Sequence, residues 1–220
     1  MQPANREAEP EACVRERLLT AALALFNDKG YAATSVREIV QAAGVTKPVL
    51  YYYFGNKEGI FLELMRNSYH SFESLAARTV SLDGAVQERI IRFCCDLFDA
   101  SLERLPEVRL IYAIYYGPPQ GAPQFDLEAY FIRMMELVYR LVSQGVASGA
   151  WSGHSVEDAA RAIIAIVTSA INEQLSRRES KLDRDGMVRL LRLLMRGMER
   201  PGQPPGEPFA GIRPSRSQPG

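Results

Sequence analysis

The sequence predicts an all-α protein of about nine helices, with three short N-terminal helices followed by a larger C-terminal helical bundle. Apolar residues recur at three- and four-residue spacings along most of the 220 residues, which is the pattern of helices that bury one face. No segment alternates apolar and polar residues over the length of a strand. Glycine and proline clusters separate the helical segments. The composition, 47% hydrophobic and 24% charged, is typical of a globular protein.

We expect both ends of the chain to be disordered and the protein to remain in the reducing cytoplasm. Residues 1–11 carry three glutamates and no apolar core, unlike a secretory signal peptide. Residues 200–220 hold six prolines and four glycines, a composition that buries too little apolar surface to become ordered. The three cysteines, Cys13, Cys94 and Cys95, show no metal-ligand spacing and no disulfide framework.

The first helix is expected over about residues 13–28, with Gly30 as its stop. Its apolar residues fall on one face: Val14, Leu18, Ala22, Leu25 and Phe26. This face must be buried against other helices.

Two short helices joined by a glycine turn follow the first helix. Ser35 and Glu38 fit a capping box, in which each side chain accepts a hydrogen bond from a backbone N–H at the start of a helix. Gly44 suits a tight turn, and Thr46 is expected to cap the next helix, with Pro48 in its first turn. This arrangement is a helix-turn-helix.

The rest of the chain predicts six further helices. Asn56 is expected to cap a long helix that ends near Thr79. The others are expected near residues 84–104, 106–116, 124–148, 155–178 and 183–199. The most apolar stretch, residues 162–171, is about half of the ~20 residues that cross a bilayer, so we expect no membrane span.

The third helix carries the clearest functional signal, because its predicted outer face combines a cation, a proline and two tyrosines. Lys47 and Tyr51 are four residues apart and share this face, with Thr46, Pro48 and Tyr52 beside them. In a major groove, Lys47 could reach a phosphate or a guanine edge, and the tyrosine hydroxyls could reach phosphate oxygens. The alternative is a plain helical hairpin whose tyrosines pack inside.

Residues on either side of this helix are expected to contact the DNA backbone. Lys57, with the free N–H groups that open the next helix, would bind one phosphate. Thr34 and Ser35 would contact the DNA backbone on the other side of the third helix. The chain as a whole has 26 basic and 26 acidic residues. Any DNA partner must therefore meet a local patch, and residues 13–66 carry a net charge of only about +2, which predicts weak, salt-dependent non-specific binding.

Several runs of residues together resemble a known family. They are Ala24-Leu25-Phe26, Lys29-Gly30-Tyr31, Thr34 to Ile39, Ala43-Gly44-Val45, Leu50 to Phe54, Asn56-Lys57-Glu58 and Phe61-Leu62. Residues 13 to about 66 thereby resemble the DNA-binding domain of TetR-type (tetracycline-repressor-like) transcriptional regulators. The resemblance implies a homodimeric all-α regulator, usually a repressor, whose C-terminal domain binds a small molecule and dimerises.

Carried over position by position, the resemblance implies which residues contact DNA. They are Thr34, Ser35, Thr46, Lys47, Tyr51, Tyr52, Tyr53 and Lys57, together with Pro48 at a position that relatives fill with Gly or Pro. Relatives often have His at the position of Tyr53, where it contacts phosphate. The resemblance also divides the chain into a DNA-binding domain at residues 12–56 and a ligand-binding and dimerisation domain at residues 57–199.

The C-terminal half offers candidates for a small-molecule site. Half of the aromatic residues lie between Phe93 and Trp151, where they could either line an apolar cavity or form the core. Thr168 and Asn172, one turn apart in an apolar helix, could contact a ligand or hydrogen-bond within the protein. The candidate ligand-binding residues are Phe93, Phe98, Tyr112, Tyr115, Tyr116, Tyr130, Met134, Trp151, Thr168 and Asn172.

Helices 155–178 and 183–199 are expected to form a four-helix homodimer interface with their copies in a second subunit. The alternative is that they are buried within one chain. Taken together, the sequence predicts a ligand-responsive repressor that a small hydrophobic or aromatic effector releases from a palindromic operator.

No catalytic, metal or cofactor motif accompanies these features. The two histidines show none of the spacings of catalytic or metal-binding sites, and glycine-rich phosphate loops are absent. We therefore expect neither an enzyme nor a cofactor. Two other classes stay open: a DNA-organising protein without an effector, and a helical enzyme or small-molecule binder whose helix-turn-helix is vestigial.

Overall fold

A computed structural model describes residues 11–80, 83–118, 121–151, 155–176 and 182–199. These ranges form nine α-helices and no strand, which confirms the predicted fold class. The helices are α1 (Glu11–Ala33), α2 (Val36–Ala42), α3 (Lys47–Phe54), α4 (Lys57–Val80), α5 (Val86–Glu103), α6 (Leu105–Tyr116), α7 (Leu127–Ala147), α8 (Val156–Leu175) and α9 (Arg184–Glu199). Of the segments predicted to be disordered, residues 1–11 and 200–220, all but Glu11 lie outside the described residues, and Glu11 is the first residue of α1.

Gly30 interrupts α1 near its end, at the position predicted for the helix stop. Its φ of 82° and ψ of 166° are non-helical, and glycine adopts positive φ without a steric penalty. The change of direction places the ring of Tyr31 5.3 Å from that of Phe26 and 5.2 Å from that of Phe61. The kink therefore folds the end of α1 onto the core.

One apolar core joins helices α1 to α4. Leu18, Leu50 and Phe61 are fully buried in it. Leu110 from α6 and Leu127 from α7 belong to the same cluster. The N-terminal core therefore includes side chains from the second half of the chain.

A second apolar core fills the C-terminal bundle, with α5 at its centre. Helix α5 contacts α4, α6, α7, α8 and α9. Phe93 and Cys94 of α5 are fully buried, as is Ile163 of α8. Within the described ranges, no helix is both long enough and apolar enough to cross a lipid bilayer.

Helix caps confirm most of the predicted starts. Asn56 Oδ1 accepts a hydrogen bond of 2.8 Å from the Gly59 N–H at the start of α4. Thr46 is the N-terminal flanking residue of α3, but its side chain makes no capping hydrogen bond, so that part of the prediction is wrong. The second helical residue, Pro48, has no N–H to donate, and the Val49 N–H donates to the Thr46 carbonyl instead.

Candidate DNA interface and interior cavity

Polar side chains lock the start of α2 to the end of α1. The predicted capping box is present: the Glu38 N–H donates to Ser35 Oγ (3.3 Å), and the Ser35 N–H donates to Glu38 Oε2 (2.9 Å). The Lys29 ammonium forms an ion pair with the Glu38 carboxylate. Hydrogen bonds from Lys29 and then Ser35 lower the pKa of Glu38 to about 2.

The turn before α3 decides which face of that helix points outward. Gly44 has a φ of 65°, and the Val45 N–H donates to the Val40 carbonyl at 2.9 Å. Leu50 then enters the core completely, and Tyr53 is half-buried. The opposite face of α3 is left for solvent.

That opposite face, which we call the outer face of α3, consists of Thr46, Lys47, Pro48, Tyr51 and Tyr52, all at least partly exposed. The side chains of Tyr51 and Tyr52 are 48% and 75% exposed, a large aromatic area for the surface of a single short helix. A cation and two phenolic hydroxyls are the groups that bind phosphate oxygens and base edges. The predicted separation of inner and outer residues on α3 is thus present in the structure.

Two residues that the sequence predicts to contact the DNA backbone have side chains that make hydrogen bonds within the protein. Thr34 is only 2% exposed, and its hydroxyl donates to the Gly30 carbonyl at 2.8 Å. The Lys57 ammonium donates to the carbonyls of Tyr31 and Thr34, both at 2.8 Å, and lies 4.1 Å from the centre of the Tyr31 ring. Burial lowers the pKa of Lys57. Both residues therefore hold the helices together, while Ser35 stays exposed beside them.

Two adjoining interior cavities lie among helices α4 to α8. Their volumes are about 60 Å³ and 40 Å³. They share Leu97, Ser101, Val108, Ile111 and Tyr130 as wall residues. The larger cavity reaches α4, and the smaller one reaches α8.

Four of the ten predicted ligand-binding residues line the smaller cavity: Tyr112, Tyr130, Met134 and Thr168. Burial raises the pKa of Tyr112 to about 12 and also raises the pKa of Tyr130, so both phenols stay protonated at neutral pH. The Thr168 hydroxyl donates to the Ile164 carbonyl at 2.8 Å. Thr168 thus has the hydrogen bond within the protein that the sequence left open as an alternative.

The other six predicted ligand-binding residues do not line these cavities: Phe93, Phe98, Tyr115, Tyr116, Trp151 and Asn172. The two phenylalanines and the tryptophan fill the apolar core. The two tyrosines are 40% and 68% exposed at the end of α6, and the asparagine is exposed on α8. Aliphatic and serine residues take their place in the walls, and the aromatic pattern gave no signal for them.

A comparison with known families identifies the N-terminal helices. Residues 18–64 match the model of bacterial regulatory proteins, tetR family. This range runs from α1 into α4 and contains the complete helix-turn-helix. The resemblance of these helices to the DNA-binding domain of TetR-type regulators is thereby confirmed.

Curated relatives agree with this assignment. The chain is 27% identical to the HTH-type transcriptional repressor KstR2 of Mycolicibacterium smegmatis over 154 residues, 68% of this chain and 69% of that protein. It is 29% identical to the probable HTH-type transcriptional regulator YttP of Bacillus subtilis over 101 residues, 44% of this chain. That match spans about half of YttP, 48% of its length. These tetR-family relatives are named as regulators and not as enzymes, in agreement with the sequence prediction.

The similarity extends to the whole fold. The crystal structure of the TetR-family transcriptional regulator PfmR from Thermus thermophilus superposes with a TM-score of 0.66 at 26% identity. The match covers 84% of this chain and 100% of PfmR. The C-terminal helices of this chain thus have the arrangement of a tetR-family protein, although the family model itself matches only the N-terminal helices.

Proposed function

We propose that this protein is a DNA-binding transcriptional repressor, released from a palindromic operator by a small hydrophobic or aromatic effector. The outer face of α3 carries the proposal, because it exposes Lys47, Tyr51 and Tyr52 on a helix whose other side is held in the core. The match to the tetR-family model supports DNA binding, and the name of KstR2 supports repression. The free thiols of Cys13, Cys94 and Cys95 fit a reducing cytoplasm.

Binding of a palindromic site needs two copies of the outer face of α3. In a two-fold dimer, each α3 would enter one of two successive major grooves. Lys47 would contact a phosphate or a guanine edge, and Tyr51 and Tyr52 would donate to phosphate oxygens. Thr46, Pro48 and the half-buried Tyr53 would lie at the margin of the same contact, with Ser35 facing the adjacent backbone.

A DNA titration tests this role of the outer face. The full chain is titrated by fluorescence anisotropy against the intergenic DNA next to its own gene, with random DNA as competitor and at two salt concentrations. We expect Lys47→Ala and Tyr51→Ala each to weaken binding about tenfold, which corresponds to ~1.4 kcal/mol. Arg92→Ala and Tyr139→Ala, which remove an exposed cation from α5 and an exposed tyrosine from α7, serve as controls. Equal affinity of all four variants for operator DNA, or no preference over random DNA, would contradict the proposal.

The dimer interface is proposed at α8 and α9. Helix α9 buries Met187, Leu191 and Met195 in its own chain, yet leaves Leu190 and Leu193 exposed by 40% and 68%. Exposed leucines spaced three apart on a helix are typical of a face that a second helix covers. The predicted burial within one chain therefore accounts for one side of α9, and a partner would cover the other.

Sedimentation velocity tests the dimer. Leu193→Glu places a charge on the proposed interface and should weaken dimerisation by more than tenfold. Leu102→Glu makes the same change at a leucine of α5 that is 40% exposed, and should leave the dimer intact. A dimer that tolerates Leu193→Glu but dissociates with Leu102→Glu would move the interface away from α9.

The position of α6 between the two cores supports the proposed release by an effector. One side of α6 supplies Val108, Ile111 and Tyr112 to the cavity walls, and Leu110 packs into the N-terminal core. The cavities are far smaller than the roughly 300–1,000 Å³ of sites for drug-sized ligands. Such an effector would need a wider cavity, and in our proposal α6 moves outward to provide it.

Displacement of α6 would reach the DNA-binding helices directly. Helix α6 contacts α1, and the Asn27 amide donates to the Pro106 carbonyl at 2.9 Å. This contact provides a direct route from α6 to α1. Because the effector would favour one position of α6, DNA and effector would weaken each other's binding by the same factor.

A further inference from the structure

Six hydroxyl-bearing side chains line the two adjoining cavities, and they divide into two groups. Three donate to a carbonyl of the preceding turn of their own helix: Ser71, Ser101 and Thr168. The other three are Ser68, whose buried hydroxyl has no hydrogen-bond partner within the described part of the chain, and Tyr112 and Tyr130, whose contacts there are between rings. A buried polar group without a partner in the protein is costly unless water or a ligand supplies one.

The charges around the cavities leave no counter-ion for a charged ligand. The smaller cavity is lined by apolar and hydroxyl side chains alone among the described residues. In the larger cavity, Arg104 Nη2 lies 3.4 Å from Glu107 Oε1, and the same guanidinium is also hydrogen-bonded to Ser71. Since an unpaired charge is strongly disfavoured in such a place, the cavities select an uncharged molecule.

Both tyrosines line the smaller cavity. Tyr130 lines both cavities and packs its ring 4.5 Å from that of Phe72 and 5.3 Å from that of Phe131. Tyr112 lines the smaller cavity from α6. Because both phenols remain protonated at neutral pH, each can donate a hydrogen bond to an acceptor.

We propose that the cavity binds an uncharged, largely apolar molecule with a carbonyl oxygen, which accepts hydrogen bonds from Tyr130 and Tyr112. A carbonyl oxygen has two lone pairs for two donors and carries no net charge. The aromatic walls would hold the apolar remainder of the molecule. The regulatory meaning of this site rests on the proposed function, but the ligand class rests on the cavity alone.

Three fluorinated probes of similar size test the ligand class by ¹⁹F NMR on the full chain without DNA. 4-Fluoroacetophenone carries the carbonyl. In 1-ethyl-4-fluorobenzene a methylene replaces this carbonyl, and in 4-fluorobenzoate a charged carboxylate replaces the whole acetyl group. We expect the ketone to bind at least fivefold more tightly than the ethyl compound, and the benzoate to bind most weakly. Tyr130→Phe and Tyr112→Phe should each weaken ketone binding about three- to tenfold, because one hydrogen bond is lost.

Two controls make the test specific. The ethyl compound should bind the Tyr→Phe variants as it binds the unmodified protein. Tyr116→Phe removes a hydroxyl from a side chain that is 68% exposed and should change no affinity. Equal binding of ketone and ethyl compound, tighter binding of the benzoate, no binding of any probe, or indifference to both Tyr130→Phe and Tyr112→Phe would each overturn the proposal.

A DNA titration with and without the ketone separates this proposal from the proposed function. Loss of operator binding on addition of the ketone would support both. A ketone preference in a protein that binds no operator would leave the ligand class standing and overturn the regulator. Operator binding by a protein without a ketone preference would support the regulator and overturn the ligand class.

Discussion

The two apolar cores of this protein differ in how far their polar groups are hydrogen-bonded. In the N-terminal core, Lys29 and Glu38 form an ion pair. The Lys57 ammonium donates hydrogen bonds to two backbone carbonyls just after the kink in α1. In the C-terminal bundle, the hydroxyls of Tyr112 and Tyr130 border a cavity without partners among the described residues. Hydrogen-bonded ion pairs restrain the helices that they join, whereas unsatisfied groups around a cavity favour rearrangement. The first region is therefore suited to hold a surface in place, and the second to accept a molecule.

The largest expected effect comes from the residue that joins the two regions. Leu110 is 1% exposed and lies in the N-terminal core although it belongs to α6. Leu110→Ala should lower the free energy of unfolding by about 2–5 kcal/mol, the usual cost of a buried leucine truncation. Hydrogen exchange should accelerate in α1 and α4 as well as in α6.

Leu102→Ala on the exposed side of α5 is the matched control, and we expect a change within about 0.5 kcal/mol. If Leu110→Ala accelerated exchange in α6 alone, the two cores would be independent, and the proposed route from α6 to α1 would fail.

Two glycine substitutions compare how well the N-terminal region and the C-terminal bundle accommodate an added methyl group. A Cβ on Gly59 would overlap the Phe54 carbonyl oxygen, and a Cβ on Gly145 would overlap the Trp151 ring. Each change to Ala should cost about 1–3 kcal/mol in denaturant unfolding, because a closely packed site must shift. We expect Gly59→Ala to be the more damaging, since backbone yields less than a ring.

Ser74→Ala makes a small change at an exposed position of α4 and should leave stability within about 0.5 kcal/mol. If Gly145→Ala lowered the free energy of unfolding more than Gly59→Ala, the C-terminal bundle would be the more rigid of the two regions, contrary to our expectation.

The smallest effect concerns the pH dependence of the N-terminal network. The folded state holds the pKa of Glu38 at about 2, below its ordinary value of 4.5, so the ionised carboxylate stabilises the fold above about pH 4.5. This contribution should be lost as the pH falls towards 2. The difference in Tm between the unmodified protein and Glu38→Gln should therefore shrink over that range. Glu103→Gln, at an exposed glutamate in the last turn of α5, should show no such trend.

Local signals made the helices predictable. The long helix expected from the Asn56 cap to about Thr79 is α4, Lys57–Val80, because a cap and a periodic apolar face are properties of neighbouring residues. Helix α7 begins at Leu127, three residues after the expected start near 124, because the Asp126 side chain accepts a hydrogen bond from the Ala129 N–H. Ends without strong signals are less well placed.

The functional surfaces were predictable only where they depend on residues that are close together in the sequence. The outer face of α3 follows from helical spacing alone. The internal use of Lys57 could not be read in this way, because it depends on carbonyls 23 and 26 residues earlier, exposed by the kink at Gly30. The cavity walls combine five helices, so the aromatic pattern identified Tyr112 and Tyr130 but gave no indication of Ser68 or Leu97.

The two hydrogen bonds of Lys57 couple the movement of α4 to that of the helix-turn-helix. They fasten the first residue of α4 to the junction of α1 and α2, so that the helix-turn-helix follows any tilt of α4. The 24 residues of α4 span about 36 Å at about 1.5 Å per residue. A tilt of about 5° about one end moves the other end by about 3 Å, close to the ~3.4 Å rise of one base pair. In the proposed regulator, such a tilt of α4 would displace the helix-turn-helix by about one base-pair step along the DNA.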